Sequence, residues 1–454
     1  MRADLPLIEL ATVQDGSRAG GKAATLAELA RAGLPVPPAW VLPAGVLGEH
    51  LAQCRLADHA RRVEDELAAG QWTETARQLR STILGAPLPN DVARAVASLL
   101  AESSVAPAGP TFAVRSSATC EGLPGASFAG QFQTFLDVRT VDEASAAIRS
   151  CWASLWSNAA LAYRASQALG RPPGMAVLLQ VFVPGRAAGA ARVDADGVVV
   201  EAGWGLGASV MSGLVVPDRF LFGPGAEPRS VEPGHKPVRA KASGGNLVWQ
   251  AVPAASRQAP CLGQRAARLV ARLALRAAAI LGTPLEVEWV LAESGDRRRK
   301  TVWLVQARPS EPRCDSALDG STPDAARNGA GMALRGIPIA PGVVVGPVRL
   351  IDRLEELEDV APGEVAVARF VAGMGIRFRG AGLVTEMGGS SAHVAAIARE
   401  RRIPMIAGVL RATRLLREGQ LVRVDGAAGL VEVVDRNRAE SVDQVVAYGV
   451  MTWP

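Results

Sequence analysis

Residues 385–408 read TEMGGSSAHVAAIARERRIPMIAG, and they hold one of only 4 histidines in a chain of 454 residues. His393 follows a Gly-Gly-Ser-Ser turn and opens HVAAIARE, which has the spacing of a short helix. Gly388 and Gly389 permit a tight backbone path. Ser390 or Ser391 is expected to cap the helix. His393 then falls in the first turn, where the helix dipole favours an anion such as a phosphate. A neutral imidazole nitrogen is a competent nucleophile near neutral pH. The same residues also describe a buried, hydrogen-bonded histidine, and this stretch alone leaves both readings open.

Outward from it, residues 334–436 form a block of short β-runs such as GVVVGPVRLI and GEVAVA, ending in LVRVDGAAGLVEVV. Residues 313–333, RCDSALDGSTPDAARNGAGMA, are polar and rich in Gly and Ala, and read as a linker. Residues 437–454 form a tail. Residues 1–312 alternate strand-like and helix-like segments. AATLAELARAG has a helical stripe ended by Gly33. SAAIRSCWASLWSNAALAYRAS reads as one long helix with Ile148, Trp152, Leu155 and Trp156 on a stripe. MAVLLQVFV and DGVVVEAGW read as strands, and GQRAARLVARLALRAAAILG as a helix. LEVEWVLA and TVWLVQA then read as two strands joined around Ser294, Gly295 and Asp296.

The bulk composition is 49% hydrophobic and 20% charged, enough for a large core. Its length predicts two or three domains. No apolar run is long enough to span a membrane, and MRADLPLIEL lacks the pattern of a secretory signal. The 5 cysteines are scattered and show no Cys-x-x-Cys spacing, so a cytoplasmic chain without zinc or a disulfide framework is expected. The net charge of +5 is spread along the chain and only RRRK forms a run, which speaks against a nucleic-acid partner.

Three further segments carry chemistry. In GGKAATLAEL, two glycines and Lys22 stand at a helix start, an arrangement that suits a phosphate but is also common in ordinary helices. In FAVRSSATCEGLPGASFAGQFQTFLDV, a strand with Arg115 enters a Gly- and Ser-rich stretch. That stretch is either a loop that wraps a polyphosphate or a surface loop with a salt-bridged arginine. In LEVEWVLA, period-2 alternation puts Glu286 and Glu288 on one face and Leu285, Val287 and Trp289 on the other. In TVWLVQARP, Gln306 and Arg308 share a face. Pairing these strands gathers carboxylates, an amide and a guanidinium. That set serves a magnesium–nucleotide site or, equally, a solvated outer face.

Taken in order, these segments resemble the phosphoenolpyruvate synthase and pyruvate phosphate dikinase family, including its rifampicin phosphotransferase relatives. GGKAATLAELARAGLPVPPAWVL, VRSSAT with SFAGQFQTFLDV, EAGWGLGASVMSGLVVPDRF, and EVEWV with VWLVQARP are similar to its ATP-binding domain. GIPIAPGVVVGPVRLI and TEMGGSSAHVAAIARERRIPMIAGV are similar to its phosphohistidine domain. The resemblance covers the chain to about residue 436. It implies an α/β multidomain fold: an ATP-grasp-like nucleotide-binding domain of two subdomains over 1–312, then a swivelling β/β/α phosphohistidine domain over 334–436. It implies that ATP and Mg²⁺ bind. Lys22 and Arg115 would contact the phosphates, with Gln180, Glu286, Gln306 and Arg308 lining the nucleotide site and Glu288 and Gln306 on the metal. His393 would be the phospho-carrier, with Thr385, Gly388, Gly389 and Arg115 in the catalytic set. ATP would give its β-phosphoryl group to His393, leaving AMP and phosphate, and the linker would let the domain swing to an acceptor.

The sequence departs from that family in several places. The acceptor-bearing third domain, a barrel in the synthases or a helical drug-binding domain in the rifampicin enzymes, is expected to be absent. Residue 312 leads almost directly into the histidine block, and the tail is short against the roughly 200 residues a barrel needs. Ala208 stands where an acid is usual, Glu121 lacks a second acid after it, and PGRAAGAARVDADG departs from a Ser-Gly-Val pattern. The expected activity is an ATP-dependent phosphotransferase with a small-molecule acceptor, in a natural-product or resistance setting. Alternatives are one subunit of a split enzyme whose acceptor domain is a separate protein, a carboxylate-activating ligase, and a degenerate ATP-binding regulatory protein.

Overall fold

The computed structural model describes residues 6–103, 110–121, 132–166, 173–243, 246–292, 301–310, 332–371 and 378–434, and the structural statements below concern those residues. Most of the expected linker 313–333, the tail 437–454 and the turn at Ser294–Asp296 lie outside them. The chain divides into two compact units. One comprises Met1–Met211 with Pro217–Pro312, the other Ser212–Val216 with Arg313–Pro454. Both mix helices and sheets.

The first unit contains two main sheets. The first is antiparallel and built from β1 (Ile8–Glu9), β2 (Ala39–Leu42), β3 (Phe112–Ala118), β4 (Thr134–Val138) and β5 (Met175–Val181), in the order β1-β2-β5-β3-β4. Helix α1 (Gly16–Arg31) covers one face, packing Ala23, Leu26 and Ala27 on Val41, Ala176 and Leu178. The other face holds Phe112, Val114, Val177 and Leu179. Against it pack α2 (Gly45–Gln53), α3 (Ala57–Ala68), α4 (Thr73–Gly85), α5 (Asn90–Ser103) and α6 (Val141–Ala153). Strand alternation therefore turns Arg115 and Gln180 toward the α1 face.

The long helix expected over 145–166 is two helices. α6 starts at a Thr140–Glu143 capping box and ends at Ala153. A 3₁₀ turn, Ser154–Trp156, then leads to α7 (Asn158–Ser166). The stripe of Ile148, Trp152, Leu155 and Trp156 is buried throughout, so apolar periodicity survived a break that it could not report.

The second sheet takes β6 (Gly185–Asp194), β7 (Gly197–Trp204), β8 (Asp218–Phe222) and β9 (Pro228–Glu232), with the short α8 (Ala208–Met211) between β7 and β8. The hairpin β10 (Val238–Ser243) and β11 (Asn246–Ala251) stands apart. Helix α9 (Gln264–Leu281), β12 (Leu285–Ala292) and β13 (Val302–Pro309) follow, giving the order β13-β12-β6-β7-β8-β9. α9 lays Ala266, Val270, Ala274 and Ala277 on Val200, Phe220, Val287 and Trp289, and its small residues let it sit close to the sheet. It stops at Gly282, whose φ of 64° closes the helix end.

The second unit is an eight-stranded sheet. Its strands are β14 (Ala333–Arg335), β15 (Ile337–Ala340), β16 (Val343–Ile351), β17 (Val365–Ala368), β18 (Gly382–Thr385), β19 (Met405–Ala407), β20 (Leu421–Asp425) and β21 (Leu430–Val433). β16, β17, β18 and β19 run parallel as neighbours, and the remaining pairings are antiparallel. Helix α10 (His393–Glu400) is the crossover between the parallel β18 and β19. Its Ala395 and Ala398 are buried with Ala366 and Leu383. The short α11 (Ala412–Leu415) follows β19 and buries Ala412 with Val367 and Val384.

Candidate functional site

In the first unit, a polar site gathers on Arg115. This residue is 8% exposed and stands mid-strand in β3. Its Nη1 donates to the Val305 carbonyl at 2.8 Å and to Gln180 Oε1 at 3.4 Å. Its Nη2 donates to Gln306 Oε1 at 2.5 Å and lies 3.5 Å from Glu288 Oε2. Four of the residues singled out from the sequence, Arg115, Gln180, Glu288 and Gln306, are thus in direct contact, from strands of both sheets.

The register of the second sheet explains the supply. Glu288 stands opposite Gln306, and Glu286 opposite Arg308. On the other side Glu288 faces Ala190 and Glu286 faces Arg192. Between Glu288 and Trp289 the pairing with β13 slips by one residue, so Val305 is the extra residue of a bulge. The bulge is where the strand offers the carbonyl that Arg115 uses. Glu286 and Arg308 bind each other, through Arg308 Nε at 3.0 Å and its Nη2.

Lys22 lies on α1 just past a break. Asp15 caps the first turn, Gly20 leaves the helix with φ 76° and ψ 164°, and regular helix resumes after it. Only glycine fits here, because a Cβ on Gly20 would run into the Ser117 carbonyl and one on Gly21 into the Glu121 carbonyl. The helix start expected at Gly-Gly-Lys is therefore a restart inside a longer element, docked on the end of β3. Ala23 N–H donates to Ser117 Oγ at 3.1 Å, and Lys22 Nζ donates to the Ser116 carbonyl at 3.2 Å and to Glu121 Oε1.

Glu121, Ser117 and Arg192 were not singled out as site residues in the sequence. Glu121 carried a signal, as an acid directly after the Arg115 strand in a Gly- and Ser-rich run. Arg192 carried none that set it apart, since Arg186 and Asp194 share its alternation in β6.

Two donors in this cluster are suggestive. Gln180 Nε2 and Arg115 Nε are buried and have no acceptor among the described residues. A buried donor left that way costs about 1–3 kcal/mol, which a ligand oxygen relieves. No group of three or more His, Cys, Asp or Glu side chains among the described residues is placed to hold a metal. Mg²⁺ does not need such a cage, since it is held by one or two carboxylates together with phosphate oxygens. Glu288 fits as that carboxylate.

In the second unit, His393 is the first residue of α10, partly exposed, beyond the carboxyl end of β18. That is where parallel sheets bind ligands. Thr385 ends β18, buried, with Oγ1 donating to the Met387 carbonyl at 2.7 Å. Glu386 and Met387 N–H groups donate to the carbonyls of Ala368, the last residue of β17, and of Arg369 just after it. Gly388 turns the loop with φ 106°. Arg399 Nη1 reaches back to the Ser390 carbonyl at 2.9 Å. The N-cap is Ala392, not Ser390 or Ser391, and no side chain caps the helix. The Gly-Gly turn leaves Ser391 one position and Ser390 two positions before the cap.

Residues 16–325 match the pyruvate phosphate dikinase AMP/ATP-binding domain, and residues 362–429 the mobile domain of PEP-utilising enzymes. The chain belongs to the pyruvate phosphate dikinase AMP/ATP-binding family. Among curated relatives, a phosphoenolpyruvate synthase of Aeropyrum pernix is 30% identical, over 91% of this chain and 56% of its own length. A probable phosphoenolpyruvate synthase of Methanothermobacter thermautotrophicus is 29% identical, over 94% and 64%. A phosphoenolpyruvate synthase of Pseudomonas aeruginosa is 29% identical, over 92% and 56%. The chain thus spans 56–64% of the length of these relatives. No helix of the described residues is long and apolar enough to cross a membrane.

Proposed function

We propose that this chain is an ATP-dependent, dikinase-type phosphotransferase. In this reading the first unit is an ATP-grasp-like nucleotide-binding domain and the second a swivelling phosphohistidine domain. The observation that carries it is the convergence of Arg115, Gln180, Glu288 and Gln306 from two sheets, with buried donors that have no acceptor among the described residues. Such a cluster suits a ligand that is both anionic and rich in acceptors.

Arg115 and Lys22 hold the phosphates, and Gln180 donates Nε2 to the nucleotide. Glu288 and Gln306 would hold Mg²⁺ brought with the nucleotide, which would supply charge neutralisation. Glu286 fixes Arg308 at the site edge. A neutral His393 nitrogen forms a bond to the β-phosphorus of ATP. AMP departs, and water supplies the oxygen with which the γ-phosphate is released as inorganic phosphate. The phosphohistidine then passes its group to a small-molecule acceptor. Thr385, Gly388 and Gly389 shape the loop that displays the ring, and the start of α10 stabilises the added charge.

Purified protein incubated with Mg-ATP should yield AMP and phosphate, and an acid-labile phosphate on the protein that His393→Ala abolishes. ADP as the sole nucleotide product would refute the dikinase step.

A further inference from the structure

Lys22 has a partner already. Its Nζ donates to Glu121 Oε1 as well as to the Ser116 carbonyl. The other Glu121 oxygen accepts from Ala118 N–H at 2.9 Å, so the carboxylate is fixed at both ends. The two side chains are 17% and 6% exposed. The Gly20–Gly21 approach that seats Lys22 on the end of β3 also brings it to Glu121.

A phosphate arriving at Lys22 gains an ammonium but meets the charge of Glu121. It also strips a buried carboxylate of its counter-ion, which is costly. We infer that Glu121 is the exchange partner of Lys22: the triphosphate chain of the nucleotide displaces it, and its return to Lys22 expels the phosphate after cleavage. This role presupposes the nucleotide reading above. It makes Glu121 a residue that weakens phosphate binding for the sake of turnover, a positioning group that acts through Lys22.

The test titrates ATP, adenosine and inorganic tripolyphosphate into the full chain, wild type and Glu121→Gln, by calorimetry. Glutamine keeps the shape and an acceptor oxygen. The expected result is ATP and tripolyphosphate binding tightened roughly tenfold, a shift of about 1.4 kcal/mol, with adenosine unchanged. In a Lys22→Gln background the same substitution should do much less. Unchanged or weaker ATP binding by Glu121→Gln, with wild type binding normally, overturns the exchange alone. So does tightening that persists without Lys22. Failure of both proteins to bind ATP overturns the nucleotide reading and this role with it. A measurement on wild type is independent of any variant's folding: the ¹⁵N resonance of the Lys22 ammonium should move on adding tripolyphosphate. A fixed resonance counts against exchange.

Discussion

Arg115 Nη2 lies 3.5 Å from Glu288 Oε2, joining a strand of the five-stranded sheet to a strand of the six-stranded one. The same guanidinium holds Gln180, Gln306 and the Val305 carbonyl. Arg115→Met should therefore damage binding and fold together. Nucleotide affinity should fall at least tenfold. Stability should fall by roughly 2 kcal/mol, below the 3–5 kcal/mol of a fully buried pair because Glu288 is partly exposed. Arg115→Lys should restore some stability and little affinity, since an ammonium cannot serve several acceptors in a fixed plane. Equilibrium binding and urea unfolding measure the two separately.

His393→Asn should leave ATP binding intact while removing all protein-bound phosphate. The residue is the partly exposed first position of α10. Its melting temperature should match wild type. Phosphate retained on the variant would move the acceptor atom elsewhere.

Gly388→Ala should slow phosphorylation without unfolding the second unit. At φ 106° an alanine is strained, although its Cβ would meet Ala407 and Thr385 only at 3.6 and 3.8 Å. The cost is then backbone strain of about 1–3 kcal/mol, spent on the geometry of the loop before His393. The rate of phosphohistidine formation, read against ATP affinity, is the measurement.

Lys236 and Asp218 are both fully buried and bind each other. Asp218 also accepts from the N–H groups of Gly234 at 2.8 Å and Cys261 at 2.7 Å. Lys236→Met should cost roughly 3–5 kcal/mol by leaving that carboxylate without its cation. The double variant with Asp218→Asn should recover part of it. Denaturant midpoints of the three proteins decide this.

Burial, then the charge of Arg149, holds the pKa of His50 below its ordinary 6.5. Burial, then Arg257 and Lys236, does the same to His235. Below that value the unfolded chain takes up protons that the folded chain refuses. Stability is thus full above about pH 6.5 and falls as the pH drops beneath it, by at most about 1.4 kcal/mol per pH unit for each histidine. His50→Gln should shallow that slope, read from unfolding at pH 7.5, 6.5 and 5.5. A slope unchanged by the substitution would remove His50 from the account.

Much of this was legible in the sequence. The alternation in LEVEWVLA correctly divided Glu286 and Glu288 from Leu285, Val287 and Trp289, because side chains alternate between strand faces and the apolar face packs on α9, although Glu286 is buried on the other. The helix after His393 and the stop at Gly282 were legible for the same local reason. The break at Ser157 was not, since a 3₁₀ turn preserves an apolar stripe. Nor was Ala392 as the cap, since the Gly-Gly turn sets where the helix begins.

What the sequence determined by itself was the type of the strongly patterned elements, the face that Glu286, Glu288, Gln306 and Arg308 occupy and the family the blocks resemble. Those follow from interactions within a few residues along the chain. The tertiary structure alone decided who meets whom. Arg115 finds Gln306 across 191 positions, and Lys22 finds Glu121 across 99. A charged side chain takes its partner by distance in space, and a bulge of one residue in β13 was enough to set which carbonyl Arg115 holds.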